Sequence, residues 1–367
     1  GWDVANLGGT AHTDYDYMRV HTVYDLQNIN AKRDGRYILA GDIDATATTH
    51  WNSGAGFAPL GDVGNKFTGR LDGAGHTLRG LYINRYSINI GLFGTVKGAT
   101  IENLSLRDGN VQGWYYTGGI AGFADNTVIR NVSYSGTVAG TKTIGGIAGT
   151  VLGGSIQNAW NAGTVRGDSF VGGIAGQAKR GSTFQNVCNT GAIRGDVDQS
   201  GGIAGYIENS RLQNAWNAGT VRGRRKFGGI VGEANGGTVS HAVWKSGSVT
   251  EYNSGSFIAR AVGESNNATA LEDIAERSEA DMKLAATYST WKDEHGKALV
   301  ATEGGKGTPW RIYDGKTTPM LTALMKGTKR LEKTYDGKTF GDGDAHILSD
   351  TALQKNVGTY DARGIYS

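Results

Sequence analysis

A five-residue phrase that returns at a nearly constant interval constrains this chain more than any other feature. Gly-Gly-Ile-Ala-Gly begins at Gly118, Gly145, Gly172 and Gly201 and recurs as Gly-Gly-Ile-Val-Gly from Gly228, at intervals of 27, 27, 29 and 27 residues. Worn copies flank the run, Gly91-Leu92-Phe93-Gly94 before it and Gly255-Ser256-Phe257-Ile258 after it. Other landmarks keep step. Asn103, Asn131, Asn158, Asn186 and Asn214 stand 27 or 28 residues apart, and Gly-Thr-Val-x-Gly starts at Gly136, Gly163 and Gly219, with a variant from Gly191. Residues 157–167 return unchanged as residues 213–223. A fixed period between about 20 and 50 residues belongs to solenoids, propellers and arrays, whose units bury their apolar faces only against their neighbours.

Each period holds three short strand-like phrases separated by Gly and Asn turns. A propeller blade takes about 40 residues or more and four strands, so the spacing favours an all-β, parallel β-helix (solenoid). The 60 glycines against three prolines fit this reading, because glycine without a Gly-X-Y period excludes collagen, and beside Val, Ile and Thr it marks tight turns between strands. Stacked coils place like on like. Leu92, Ile120, Ile147, Ile174, Ile203, Ile230 and Phe257 are expected to form an inner ladder, and the asparagines a turn ladder in left-handed geometry bonded to neighbouring backbone. With strands about 4.8 Å apart, such a ladder spans roughly 29 Å.

The flanks differ in pattern. Residues 1–35 read as a small helical N-terminal cap, with Val23, Leu26 and Ile29 on one face. The first strand is expected at residues 37–40 and 43, followed by a loop to about Lys66; the β-helix as a whole is assigned to residues 36–262. Residues 263–326 read as a mixed C-terminal cap: Leu271, Ile274, Met282 and Leu284 are spaced for a helix over 271–287, followed by a lid of Trp291, Trp310, Met320 and Leu321. Residues 327–367 read as the start of a further β-rich module.

Composition excludes several functions. The formal charge of +3 is the small difference between 37 basic and 34 acidic residues, so no whole-molecule field points to nucleic acid. A single cysteine, Cys188, rules out an internal disulfide and a multi-cysteine zinc site. No stretch approaches the ~20 apolar residues of a membrane helix, and Gly1-Trp2-Asp3 does not open a signal peptide, so a soluble piece of a longer chain is expected. The histidines are scattered without an HExxH pair, and GxSxG, Walker A and dinucleotide GxGxxG motifs are missing. No metal, cofactor or catalytic residue is therefore assigned. Asp168 and Asp196, one period apart and each preceded by Arg-Gly, are the carboxylate pair that a polysaccharide hydrolase or lyase would need. Duplication explains them as well. The Arg-Gly-Asp tripeptides they close, starting at Arg166 and Arg194, are a weak adhesion signal for the same reason.

Binding candidates lie on outward positions. Trp160 and Trp216 share one slot two coils apart, Trp244 falls one period further, and alternation from Ala159 and Ala215 points the Trp side chains outward. An exposed Trp row would stack on sugar rings; a covering loop or module is the competing reading. Arg166, Arg194 and Arg222 form a second row, thickened by Arg224, Arg225 and Lys226. Like charges about 5 Å apart repel by roughly 1 kcal/mol in water, so the row calls for counter-charges, either Asp168 and Asp196 or an anionic glycan.

Together these residues resemble a known context. The Gly-Gly-Ile-Ala-Gly units resemble the GLUG motif. The segments Tyr37-Ile38-Leu39-Ala40-Gly41-Asp42-Ile43-Asp44, Phe67-Thr68-Gly69-Arg70-Leu71-Asp72-Gly73 and Gly91-Leu92-Phe93-Gly94 look like those of filamentous-haemagglutinin-like exoproteins, which are bacterial adhesins of two-partner secretion. Lys355-Asn356-Val357-Gly358-Thr359-Tyr360 resembles a β-rich module that often follows. The resemblance implies a right-handed parallel β-helix at the cell surface or secreted, a role in adhesion or biofilm, an outer-membrane transporter as secretion partner, and a glycan or a host or bacterial surface protein as ligand. GLUG repeats also occur in large immunoglobulin-cleaving metalloproteases, whose zinc motif is missing here. The expectation is a non-enzymatic adhesin segment; a polysaccharide-degrading enzyme and a pure structural spacer are the alternatives.

Overall fold

In the computed structural model, which describes residues 17–304 and 307–325, the repeat winds into a parallel β-helix. The expected module at 327–367 and the opening residues 1–16 lie outside the described residues. One coil shows the plan. Val128–Ala139 runs above Thr100–Gln112 and below Ser155–Asn161 and Thr164–Gly172, all parallel. Lys142–Gly145 and Ala148–Leu152 complete the turn and pair with their counterparts one coil on, Ile144 opposite Val171 and Ala148 opposite Ala175. Register is set by side-chain alternation, because a one-residue slip would carry the apolar set out of the core.

The inner ladder stacks as expected through Leu92, Ile120, Ile147, Ile174, Ile203 and Ile230, all fully buried. Its backbone bonds run coil to coil, Ile120 N to Ile147 O at 2.9 Å and Ile147 N to Ile174 O at 3.0 Å. The top rung differs from expectation. Phe257 is 71% exposed, and Ala261 takes the rung instead, accepting from Ile230 N at 2.8 Å. The repeated glycines follow from the crowding between coils. A Cβ on Gly145 would lie 2.7 Å from Ala175 Cα, and one on Gly146 would collide with Gly173 O and the Asn161 amide. Neither position has room for a side chain.

The asparagine turn ladder is present with a different bonding pattern. Asn103, Asn131, Asn158, Asn186 and Asn214 all take φ between 52° and 55°. Their amides bond to one another, Asn131 Nδ2 donating to Asn103 Oδ1 at 2.8 Å and Asn158 Nδ2 to Asn131 Oδ1 at 2.9 Å. A second asparagine ladder lies inside the coil. Asn161, Asn189 and Asn217 are fully buried, and Nδ2 of each of the first two donates to Oδ1 of the next, at 2.7 and 2.8 Å. Each also closes a local turn onto the glycine two residues on, as Asn189 does with Gly191.

At the N-terminal side, the expected helix is the element Val23–Asn28, continued by a 3-10 turn Ile29–Ala31, with Val23, Leu26 and Ile29 buried. Thr22 and Asp25 form a reciprocal capping box. The strand Met18–Val20 precedes it and pairs in parallel with Arg36–Leu39. At the other side the coil continues past residue 262. Val262–Asn266 and Ala270–Arg277 are strands laid on Val231–Lys245, where the sequence pattern predicts helix from 271. The chain divides into two units between Arg277 and Ser278. The second unit has its own small core, in which Trp291 packs edge-on against Tyr288 at 4.9 Å and near Trp310 at 6.0 Å, with a three-stranded sheet of Val300–Ala301, Trp310–Arg311 and Met320–Leu321.

Candidate functional site

The predicted arginine row exists. Inward residues Val138, Val165, Ile193 and Val221 stack in the core, and the next residue of each strand faces out, giving the register Ala139, Arg166, Arg194, Arg222, Thr250. Arg166 and Arg222 are exposed and Arg194 is half-buried. Tyr252 lies against the upper two. Its ring centroid is 4.6 Å from the Arg222 guanidinium and 5.3 Å from that of Arg194, whose NH2 donates to the Tyr252 hydroxyl at 2.9 Å. Arg222 NH2 donates to the Tyr252 carbonyl at 2.8 Å. Tyr252 thus holds two like charges in place by their π and hydrogen-bond interactions.

Counter-charge is supplied unevenly. Arg194 Nε bonds Asp196 Oδ1 at 2.8 Å, and this bond, then the Asp196 charge, raises the Arg194 pKa above its ordinary value. The expected Asp168 partner for Arg166 is not formed, and Arg166 and Arg224 make no ion pair among the described residues. Arg225 reaches Asp198 at 3.4 Å, while Lys226 reaches Glu233 at 3.0 Å and Glu264 at 3.2 Å. The hydrogen bond to Glu233 is the main cause that raises the Lys226 pKa. The row is therefore neutralised at its centre and open at Arg166 and Arg224. In a different row both arginines reach a carboxylate, which they share: buried Glu102 takes Arg70 Nε on one oxygen and Arg130 Nε on the other, both at 2.6 Å.

The tryptophan row is corrected. Trp160, Trp216 and Trp244 are 8%, 1% and 7% exposed, so no open Trp platform exists at these positions. Trp160 shares its slot with Ser133, Cys188, Trp216 and Val243, outside the main core cluster but buried. Trp160 Nε1 donates to Thr190 Oγ1 at 3.0 Å. Trp244 is not in that slot. It stands opposite Asn217, at the end of the inner asparagine ladder and inside the core cluster. Burial pushes the Cys188 thiol well up from its ordinary value, so it acts there as a small apolar filler.

Accessible aromatic surface occurs elsewhere. Tyr86, 80% exposed, stacks on Trp114 at 5.2 Å, and Trp114 stacks on Tyr115 at 4.2 Å. These rings occupy the corner that carries Asp168 and Arg224 further along the rod, and their strand continues the arginine row as Gln112 and Asn84. The signal in the sequence was the pair of aromatics in turns, Tyr86 after Asn84-Arg85 and Trp114 after Gly113, which lie outside the repeated phrases. Asp168 and Asp196, the candidate carboxylates, sit on the surface of this same corner, Asp196 tied to Arg194.

No family model matches the chain. Halomucin of Haloquadratum walsbyi is 36% identical over 134 residues, covering 35% of this chain and 2% of halomucin. The immunoglobulin A1 protease of Streptococcus sanguinis is 32% identical over 116 residues, 30% of this chain and 6% of the protease. The chain thus spans a small fraction of these relatives. Among solved structures, a candidate immunoglobulin A1 protease from Bacteroides ovatus superposes with a TM-score of 0.61 at 16% identity, covering 85% of this chain and 94% of that one. That likeness is one of fold, a β-solenoid.

Proposed function

We propose that this chain is a rigid, non-enzymatic segment of a larger exported surface protein, an adhesin whose arginine face binds an anionic glycan. The observation that carries the reading is the row Arg166, Arg194, Arg222 in consecutive register on the outer face, with Arg166 lacking a carboxylate partner among the described residues. Cations repeating at about 4.8 Å match the rise of an extended acidic polysaccharide laid along the rod, one sugar per coil. Guanidinium groups bind carboxylate and sulfate in two-pronged geometry, and the stack of Tyr86, Trp114 and Tyr115 offers apolar surface on the same side. The resemblance of the repeats to the GLUG context of two-partner exoproteins supports including export and adhesion in the same proposal. The name of the immunoglobulin proteases stays with those proteins.

The test is binding of the full chain to heparin, alginate and hyaluronate, with dextran as the neutral control. Binding to one or more acidic polymers is expected, weakening as salt screens the row. The double substitution Arg166→Ala/Arg222→Ala is expected to lower affinity by about tenfold or more, on the order of two charge-assisted contacts. Affinity unchanged by the double substitution would remove the row from the site. The same incubations are expected to release no new reducing ends or unsaturated products and to leave immunoglobulin A1 intact.

A further inference from the structure

A groove of about 460 Å³ lies between the N-terminal helix and the loop that follows the first strands, lined by Gln27, Asn30, Trp51, Asn52 and Ala58. Its floor is the half-buried Trp51 ring. Phe57, fully buried, stacks behind it at 6.3 Å, and Tyr24, 61% exposed, flanks it at 5.1 Å with the planes tilted by 38°. Apart from Ala58, the rest of the lining is side-chain amide. Gln27 exchanges two hydrogen bonds with Ala58, Nε2 to the carbonyl at 2.8 Å and Oε1 from the N–H at 2.9 Å. Asn30 does the same across Pro59 O and Gly61 N, at 3.1 and 2.9 Å. Asn52 Nδ2 donates to Gly56 O at 2.7 Å.

An amide side chain has two N–H donors and two acceptor lone pairs. These bonds leave an N–H and a lone pair unspent on Gln27 and Asn30, and an N–H and both lone pairs on Asn52. The backbone that delivers Trp51 and Asn52 is strained. Asn52 and Ser53 are consecutive non-glycine residues in the left-handed region, φ 51° and 54°. The same conformation recurs at turns along the coil, and here it sets the Trp51 ring beside the Asn52 amide. Among the described residues, no ionisable side chain lines the groove.

The geometry points to a binding site for a single neutral pyranose ring, a terminal or internal hexose of an uncharged glycan. The C–H face of the ring stacks on Trp51, with Tyr24 at its side, and the unspent amide donors and acceptors meet its neighbouring hydroxyls. A carboxylated or sulfated sugar gains no advantage over a neutral one, because no lining residue is a cation and the two bordering guanidinium groups are engaged with backbone carbonyls, Arg33 with Asn30 O and Arg85 with Gly56 O and Phe57 O. The site is separate from the arginine row and stands without it.

The test is a titration of the ¹⁵N-labelled full chain followed at the Trp51 indole N–H signal, assigned by its loss in Trp51→Phe. The probes are the methyl glycosides of glucose, galactose, mannose and N-acetylglucosamine, with glucuronate as the charged control. At least one neutral glycoside is expected to shift the signal saturably, with an affinity on the order of millimolar for so small a ligand. The affinity is expected to be equal at about pH 5 and about pH 8 and at low and raised salt, because no lining group titrates or is screened. Asn52→Ala, which keeps the indole and removes one amide, is expected to weaken binding by about tenfold. Arg166→Ala/Arg222→Ala is expected to leave this titration unchanged, so loss of either site is read separately. The inference is overturned if none of the four glycosides moves the signal up to about 100 mM, far above the affinity expected of a single ring. It is also overturned if glucuronate binds more tightly than all of them.

Discussion

Asn161, Asn189 and Asn217 show how much one buried residue type decides in this protein. Each spends both its donor and its acceptor, the amide oxygen of Asn189 taking Asn161 Nδ2 and Gly191 N, its nitrogen giving to Asn217 Oδ1 and Gly191 O. Replacing the middle member therefore leaves polar groups on both neighbours unpaired in a dry core. Asn189→Ala is expected to cost roughly 2 to 4 kcal/mol, the desolvation penalty of the stranded groups outweighing the modest net value of the bonds themselves. Urea denaturation measures this; a loss below about 1 kcal/mol would mean that water enters and replaces the amide. Asn161 and Asn217 lie within the repeated residues 157–167 and 213–223, with Asn189 at the equivalent place in the coil between, yet their role was not legible. Asparagine beside glycine reads as a turn signal, and only the coil geometry tells an inward amide from an outward one. Trp244 misled for a related reason. Counting one period from Trp216 reaches it, but the structure pairs Trp216 with Val243. A one-residue difference in coil length moves the ring from the outer slot into the core.

The corner turns and the last strand mark where local preference yields to the stack. Asn89, Tyr116, Thr143, Phe170, Gln199 and Lys226 occupy one corner in successive coils, and all have φ between 43° and 67°. Asparagine tolerates this region; threonine, β-branched, does not. The neighbouring coils impose the turn through parallel pairing on both sides, so the chain accepts the strain at Thr143. Thr143→Asn, a change of nearly equal size, is expected to stabilise the protein by about 0.5 to 1 kcal/mol and to raise the thermal midpoint. A lower midpoint would show that the buried Thr143 packing outweighs the backbone relief. The same competition explains the strand Ala270–Arg277. Its sequence, rich in Ala, Leu and Glu with Leu271 and Ile274 one turn apart, favours helix by propensity. Pairing with Val231–Lys245 overrides that, because the exposed backbone edge of the last full coil is satisfied by another strand. The repeat phrases in the middle of the chain were legible because propensity, periodicity and packing agree there; at its ends they do not.

At the scale of the molecule, a coil contacts chiefly the coils above and below it, so stability is close to a sum over rungs and nearest-neighbour interfaces. The internal identity of residues 157–167 and 213–223 permits a direct test. Excising residues 157–212 joins Ile156 to Gln213 at equivalent positions of the winding, since Ile156 stands over Phe184 and Phe184 over Leu212 in the parallel register. The coil containing Val128–Ala139 then meets the same eleven residues it met before. Ser133 regains a tryptophan, now Trp216 in place of Trp160, and Tyr134 an asparagine, Asn217 in place of Asn161. The shortened chain is expected to fold, with a β-type circular dichroism spectrum and a single denaturation transition. The solenoid should be shorter by two rungs, about 10 Å. Its denaturant slope should fall, because less surface is exposed on unfolding. Arg166 and Arg194 leave with the excised coils while Arg222 remains, so binding to an acidic polymer should weaken, and the Trp51 groove, lying below the cut, should keep its neutral-sugar titration. Loss of the cooperative transition would show that the coils are not interchangeable units, and that register depends on contacts reaching beyond the adjacent rung.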